Sequence, residues 1–168
     1  MQKIDEEIKV IDYPIIKPKE HDEKHFSKES IKVIKKEQKD IMDFGTKIHY
    51  FLETLDLKNP NLDDIDTFYQ EKITNFLNCD LLKNINDAKV YQEYEFVEEE
   101  NGIMKHGVID LMLEYSDHFD IIDYKLKNID DDAYTLQLNG YRDYIKKITN
   151  KDVNIYLYSI MDSIYKKL

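Results

Sequence analysis

Two aspartates, Asp110 and Asp123, each sit inside an apolar run, GVIDLMLEY and HFDIIDYKLK, on either side of a polar Ser116-Asp117 pair. Charged side chains are almost never fully buried unless they are paired or hold a metal. If Ser116-Asp117 is a two-residue turn, antiparallel pairing sets Asp110 directly across from Asp123, with Lys125 on the same face of the second strand. Opposed like charges destabilise a sheet. A divalent cation between the carboxylates reverses that sign, and Mg2+ and Mn2+ favour such hard oxygen donors. The alternative is a solvated sheet face carrying both aspartates, so the pattern by itself leaves metal binding and simple exposure open.

The elements that must position these groups follow from periodicity. AKVYQEYEFVEE (88–99) alternates as a strand, Asn101-Gly102 is the dipeptide favoured in two-residue hairpins, and IMKHGVIDLMLEY (103–115) runs back. Strict alternation puts Val108, Asp110 and Met112 on one face of that strand and Ile109, Leu111 and Leu113 on the other. HFDIIDYKLK (118–127) completes a meander.

Two helices come first. FGTKIHYFLETLDL (44–57) carries Ile48, Phe51, Leu52 and Leu55 at helical spacing, with Asp43 or Thr46 as the cap. LDDIDTFYQEKITNFLN (62–78) places Ile65, Phe68, Phe76 and Leu77 on its apolar side, and DLLKNIN adds a turn or two. After the meander, Asp130 to Asp132 cap a helix running to about Ile148, with Leu138, Tyr141, Ile145 and Ile148 on one face. VNIYLYSIM (153–161) is a last, buried strand. Helix, three antiparallel strands, helix, strand predicts an α/β (α+β) fold with a mixed sheet flanked by helices. Residues 1–29, holding two of the three prolines, read as a linker or arm ahead of one domain spanning 30–168.

Composition narrows the function classes. Lys and Arg number 24 against 35 Asp and Glu, a net charge of −11, which argues against simple electrostatic capture of nucleic acid unless metal ions or a partner offset the acid. The single cysteine, Cys79, excludes an internal disulfide framework, a CxxC zinc site and a four-cysteine cluster. No run approaches the roughly 18 apolar residues of a membrane span, and MQKIDEEIKV has no apolar leader segment, so a cytoplasmic setting is expected.

Five pieces in order resemble one family. GVIDLMLEYSDHFDIIDYKLKN is similar to the G-x-I-D…D-Y-K core of the PD-(D/E)XK nuclease superfamily. Gly45-Thr46-Lys47-Ile48-His49 resembles the G-T-x-x-H helix of its RecB-like branch, and Glu93 in YQEYEF resembles the glutamate of the first core strand. Gln137-Leu138-Asn139-Gly140-Tyr141 resembles the Q-x-x-x-Y motif on the helix after the lysine. The resemblance spans about 30–168 and is nearest to the C-terminal nuclease domain of AddA subunits in AddAB helicase–nucleases. It implies the αβββαβ core of restriction-endonuclease-like folds. The chain lacks both a G-x-x-x-x-G-K-[ST] loop and the four cysteines of iron–sulfur relatives.

The resemblance also implies roles. Asp110 and Asp123 hold Mg2+ or Mn2+ together with the Tyr124 carbonyl and His49, and Lys125 orients a water or neutralises charge on the scissile phosphate. Glu93 completes the metal shell directly or through a water, although Glu95 shares its face. Gln137 and Tyr141, four apart on one helical face, approach the same phosphate or base. The implied activity is a metal-dependent deoxyribonuclease processing DNA ends in double-strand-break repair, fed single strands by helicase modules and an AddB-like partner subunit. The alternatives are a non-catalytic module that keeps the nuclease fold as a docking surface, and a restriction or junction-resolving nuclease of the same fold.

Overall fold

The structure, a computed structural model, describes residues 9–12 and 28–168, with side chains from residue 39 onward. These residues divide into a helical unit within 16–83 and a sheet unit formed by 84–168 with the strand at 9–12.

In the helical unit, α1 (Lys28–Thr54) is much longer than the 44–57 segment expected. The proposed caps Asp43 and Thr46 lie inside it, because SIKVIKKEQKDIMD contains neither proline nor glycine to stop the helix and is rich in Lys, Glu and Gln. By contrast α2 (Thr67–Leu77) begins five residues later than expected, where the Asp66 carboxylate accepts the Phe68 N–H at 2.8 Å and so caps the helix. Its buried residues are Ile73 and Phe76, whereas Phe68 is 67% exposed. Phe68 instead meets Phe44 of α1 edge-on, while the Phe44 and Tyr69 rings stack at 5.3 Å. Two 3-10 turns, Asp80–Leu82 and Ile85–Asp87, occupy the DLLKNIN stretch.

The sheet unit holds β1 (Lys9–Asp12), β2 (Lys89–Glu100), β3 (Ile103–Glu114), β4 (His118–Lys125), α3 (Asp132–Thr149), β5 (Asp152–Ser159) and β6 (Ile164–Lys167). Asn101 and Gly102 both take positive φ, 54° and 76°, which is the twist a two-residue hairpin needs between β2 and β3. After β4 the chain crosses over through α3 and returns as β5, parallel to β4. Asp131 caps α3 by accepting the Ala133 N–H at 3.0 Å, and Asn150 ends it in the left-handed region at φ 57°. Leu138, Tyr141 and Ile145 are buried on its inner face, but Ile148, expected there too, is 53% exposed at the last turn. The six strands form one mixed sheet, the restriction-endonuclease-like α+β arrangement expected, with α3 packed on β5.

Two short edge strands were not expected. β6 is exposed throughout, Ile164 and Tyr165 included, and its four residues are too few for an alternating pattern to register. β1 belongs to the stretch read as an arm; the remainder of 1–27 lies outside the described residues.

β3 is the hub of the sheet. β2 runs along the whole of one of its edges. On the other edge β1 pairs with Ile103 to His106, and β4 pairs with Leu111 to Glu114. Between those two ladders, residues 107–110 have no strand partner on that edge among the described residues.

Candidate active site

The β3–β4 register is the one a two-residue turn predicts, running from Glu114↔Phe119 to Leu111↔Ile122. The next rung would join Asp110 to Asp123, and there the ladder stops. Instead the Asp110 carboxylate accepts the Tyr124 N–H at 2.7 Å, so a side chain takes a donor that a strand neighbour would otherwise satisfy.

The same level is irregular on the other edge. Gln92↔Leu111 and Tyr94↔Ile109 pair in register, which leaves Glu93 opposite Asp110, yet Glu93 sits at φ 49°. A non-glycine residue there is strained, at a cost of about 1–3 kcal/mol. The irregularity also breaks the expected alternation. Ile109 and Met112 belong to one core cluster, and Tyr91 and Tyr94 pack against that same cluster with their rings 5.9 Å apart. Residues three apart in an unbroken strand face opposite ways, so the strict assignment of Ile109 and Met112 to different faces fails at the Glu93–Asp110 level.

The outcome is a row of three carboxyl-bearing positions across adjacent strands: Glu93 on β2, Asp110 on β3 and Asp123 on β4. Glu93 and Asp110 bring carboxylate oxygens within 4.8 Å of each other. Glu95, the rival candidate on β2, is exposed and engages the His106 ring nitrogen at 2.6 Å. Asp123 is 3% exposed and lies 2.5 Å from the Lys125 ammonium.

The electrostatics of the row are set by burial and by Lys125. Burial pushes the Asp110 carboxyl up to about 7, against the pull of Lys125 and of the Tyr124 N–H, and Glu93 adds to the rise. For Lys125, burial opposes the charge, but Asp123 and then Asp110 outweigh it and hold the ammonium above its usual value. Lys125 is therefore a fixed cation rather than a neutral base.

Gln137 and Tyr141 belong to the same assembly. Tyr141 is 2% exposed. Its hydroxyl accepts from Gln137 Nε2 at 2.8 Å and from the Val108 N–H, an amide in the stretch of β3 between the two ladders. Burial first raises the phenol's pKa, and both Asp123 and Asp110 contribute to the rise, so the hydroxyl stays neutral beside them. Tyr141 and Gln137 thus brace the level at which the carboxylates sit. His49 stands half-buried on α1 of the helical unit.

One neighbour was missed. Tyr134, one turn before Gln137 on α3, presents its ring to Lys125, with Nζ 4.6 Å from the ring centre. The signal was present as the spacing Tyr134, Gln137, Tyr141, which runs along one helix face, but nothing in it pointed to β4.

The row offers hard oxygen donors crowded closely enough to repel one another, and this fits a small divalent cation. No family model matches the chain. It is similar to the RecBCD enzyme subunit RecB of Chlamydia trachomatis, 27% identical over 128 residues that cover 61% of this chain and 12% of that protein. It is likewise similar to the A component of the ATP-dependent helicase/nuclease of Clostridium botulinum, 27% identical over 194 aligned positions, 87% of this chain and 15% of that protein. RecB of Chlamydia muridarum is 28% identical over 113 residues, 52% of this chain and 11% of its own length. The chain therefore corresponds to a small part of each of these long proteins.

Proposed function

We propose that this chain is a metal-dependent deoxyribonuclease domain of the RecB-like PD-(D/E)XK type, acting on DNA ends as the nuclease part of an AddA-type helicase–nuclease in double-strand-break repair. The observation that carries the reading is the Glu93–Asp110–Asp123 row with Lys125 paired to its last member. The similarity to RecB and to the A component of a helicase/nuclease supports it.

Asp110, Asp123 and the Tyr124 carbonyl are the proposed holders of Mg2+ or Mn2+, with Glu93 at the same level. His49 enters this reading through its G-T-x-x-H spacing alone. A bound ion would polarise a scissile phosphate and acidify a water. The chain's own groups do the rest. The Tyr124 N–H fixes one Asp110 oxygen, which leaves the other to turn toward the row. Asp123 anchors the Lys125 ammonium, and that cation faces the charge that grows on phosphoryl oxygens as water adds and the P–O bond to the leaving oxygen breaks. Tyr141, with Gln137 behind it, keeps β3 in place between the two ladders.

The net charge of −11 fits a domain that is handed its strand rather than one that captures DNA by itself. The test is cleavage of labelled single- and double-stranded oligonucleotides with Mg2+, with Mn2+ and with EDTA. Slow, metal-dependent cutting of single strands, with blunt duplex largely spared, is expected. Cleavage that persists in EDTA, or efficient cutting within intact duplex, would overturn the reading.

A further inference from the structure

Lys125 is held from two sides. Asp123 meets its ammonium at 2.5 Å, and the Tyr134 ring lies 4.6 Å from Nζ on the side contributed by α3. Asp123 is on the same strand and is also a proposed ion holder, so its carboxylate has two cations to serve. An ion drawing on Asp123 weakens its hold on Lys125. An aromatic face does not compete for the ion, and it attracts an ammonium through its ring quadrupole.

We propose that Tyr134 is a positioning residue for the reaction, seating the Lys125 ammonium on its ring face so that the lysine keeps its place when Asp123 turns to a cation. The placement of Tyr134 supports this. It lies in the first turn of α3, and its N–H bonds the carbonyl of the capping residue Asp131 at 3.1 Å, so that turn is fixed. The ring also packs against the core cluster that contains Leu138 and Tyr141, and a ring so held cannot easily swing away. The feature that matters is the ring face, not the hydroxyl.

This inference rests on the nuclease reading, and two variants with two readouts separate the pair. Tyr134→Phe keeps the ring; Tyr134→Leu removes it while leaving an apolar side chain. In single-strand cleavage with Mn2+, Tyr134→Phe should stay within about twofold of the parent. Tyr134→Leu should lose kcat on the order of tenfold, equivalent to about 1.4 kcal/mol, with KM and Mn2+ affinity nearly unchanged. The second readout needs no activity: the Lys125 side-chain methylene protons, followed by NMR with Mg2+, should show a ring-current shift in the parent and in Tyr134→Phe but not in Tyr134→Leu. Equal loss in both variants would overturn the role of the ring face, and so would an unchanged Lys125 spectrum in Tyr134→Leu. Failure of the parent to cleave DNA, with the spectral pattern intact, would remove the nuclease reading and leave the seat itself standing.

Discussion

At the residue scale, Lys125 and Asp110 carry charges that depend on each other. Lys125 remains protonated because Asp123 and Asp110 outweigh its burial, and in the proposed reaction that charge serves the transition state. Lys125→Ala should therefore lower kcat by about two or more orders of magnitude, roughly what loss of a preorganised charge costs, with the Mn2+ affinity little changed. Titration calorimetry beside single-turnover cleavage would check the split, and a variant that cuts at the parental rate would sink the assignment of the whole motif. Asp110 behaves in the opposite sense. Removing its charge with Asp110→Asn takes away a buried repulsion with Glu93 and should leave the ion-free fold as stable or more so, while abolishing both ion binding and cleavage. Thermal melts with and without Mn2+ decide this: the parent should gain stability from the ion and lose it again with EDTA, and the variant should respond to neither. Asp110, Asp123 and Lys125 were all legible as a group in the sequence, because charge inside apolar strands needs an explanation. Tyr134 was not, since an aromatic residue on a helix face is ordinary until the strand it meets is known.

At the scale of elements, the four long strands and α3 were readable because alternation, the Asn-Gly turn and the aspartate cap each leave a local mark. The start of α1 was not, as no proline or glycine in KESIKVIKKEQKDIMD marks where the helix begins, and β1 and β6 were missed because short edges carry little signal of their own. The break in alternation at Glu93 is also invisible to a period-two rule. That break makes a further prediction. Asn tolerates the left-handed region better than Glu does, so Glu93→Asn should raise the melting temperature while weakening Mn2+ binding. A loss of stability instead would show that the φ of 49° is not a strain relieved by residue type. Gly107 tests the neighbouring level. A β-carbon there would come within 2.6 Å of the Phe96 ring and 2.8 Å of the Tyr141 ring, so at least one ring must move. Gly107→Ala should cost about 1–3 kcal/mol of stability in denaturant unfolding and should depress cleavage through the displaced Tyr141.

At the scale of the whole molecule, acid excess and pH set the working range. Glu114 shows the sign. The Tyr91 hydroxyl, donating at 2.8 Å, and then Lys151 hold its carboxyl below the ordinary value of 4.5, against an opposing effect of burial. A depressed carboxyl contributes stability that is fully present above its unfolded value and disappears as pH falls through the lower folded value. Tyr91→Phe removes the main cause of that depression, so its deficit against the parent should be constant above about pH 4.5 and should shrink as the pH falls below it. Denaturant unfolding followed by circular dichroism across that range would show it, and a deficit that does not change with pH would refute it. Single strands should associate weakly with this chain, and more weakly still as salt rises. Finally, β3 is gripped by β1 over 103–106 and by β4 over 111–114, with β2 running along its other edge. In deuterium exchange the blocks 103–106 and 111–114 are held from both edges, whereas 107–109 rest on β2 and, at Val108, on the Tyr141 hydroxyl, so exchange at Val108 should quicken in Tyr141→Phe while the two blocks stay slow.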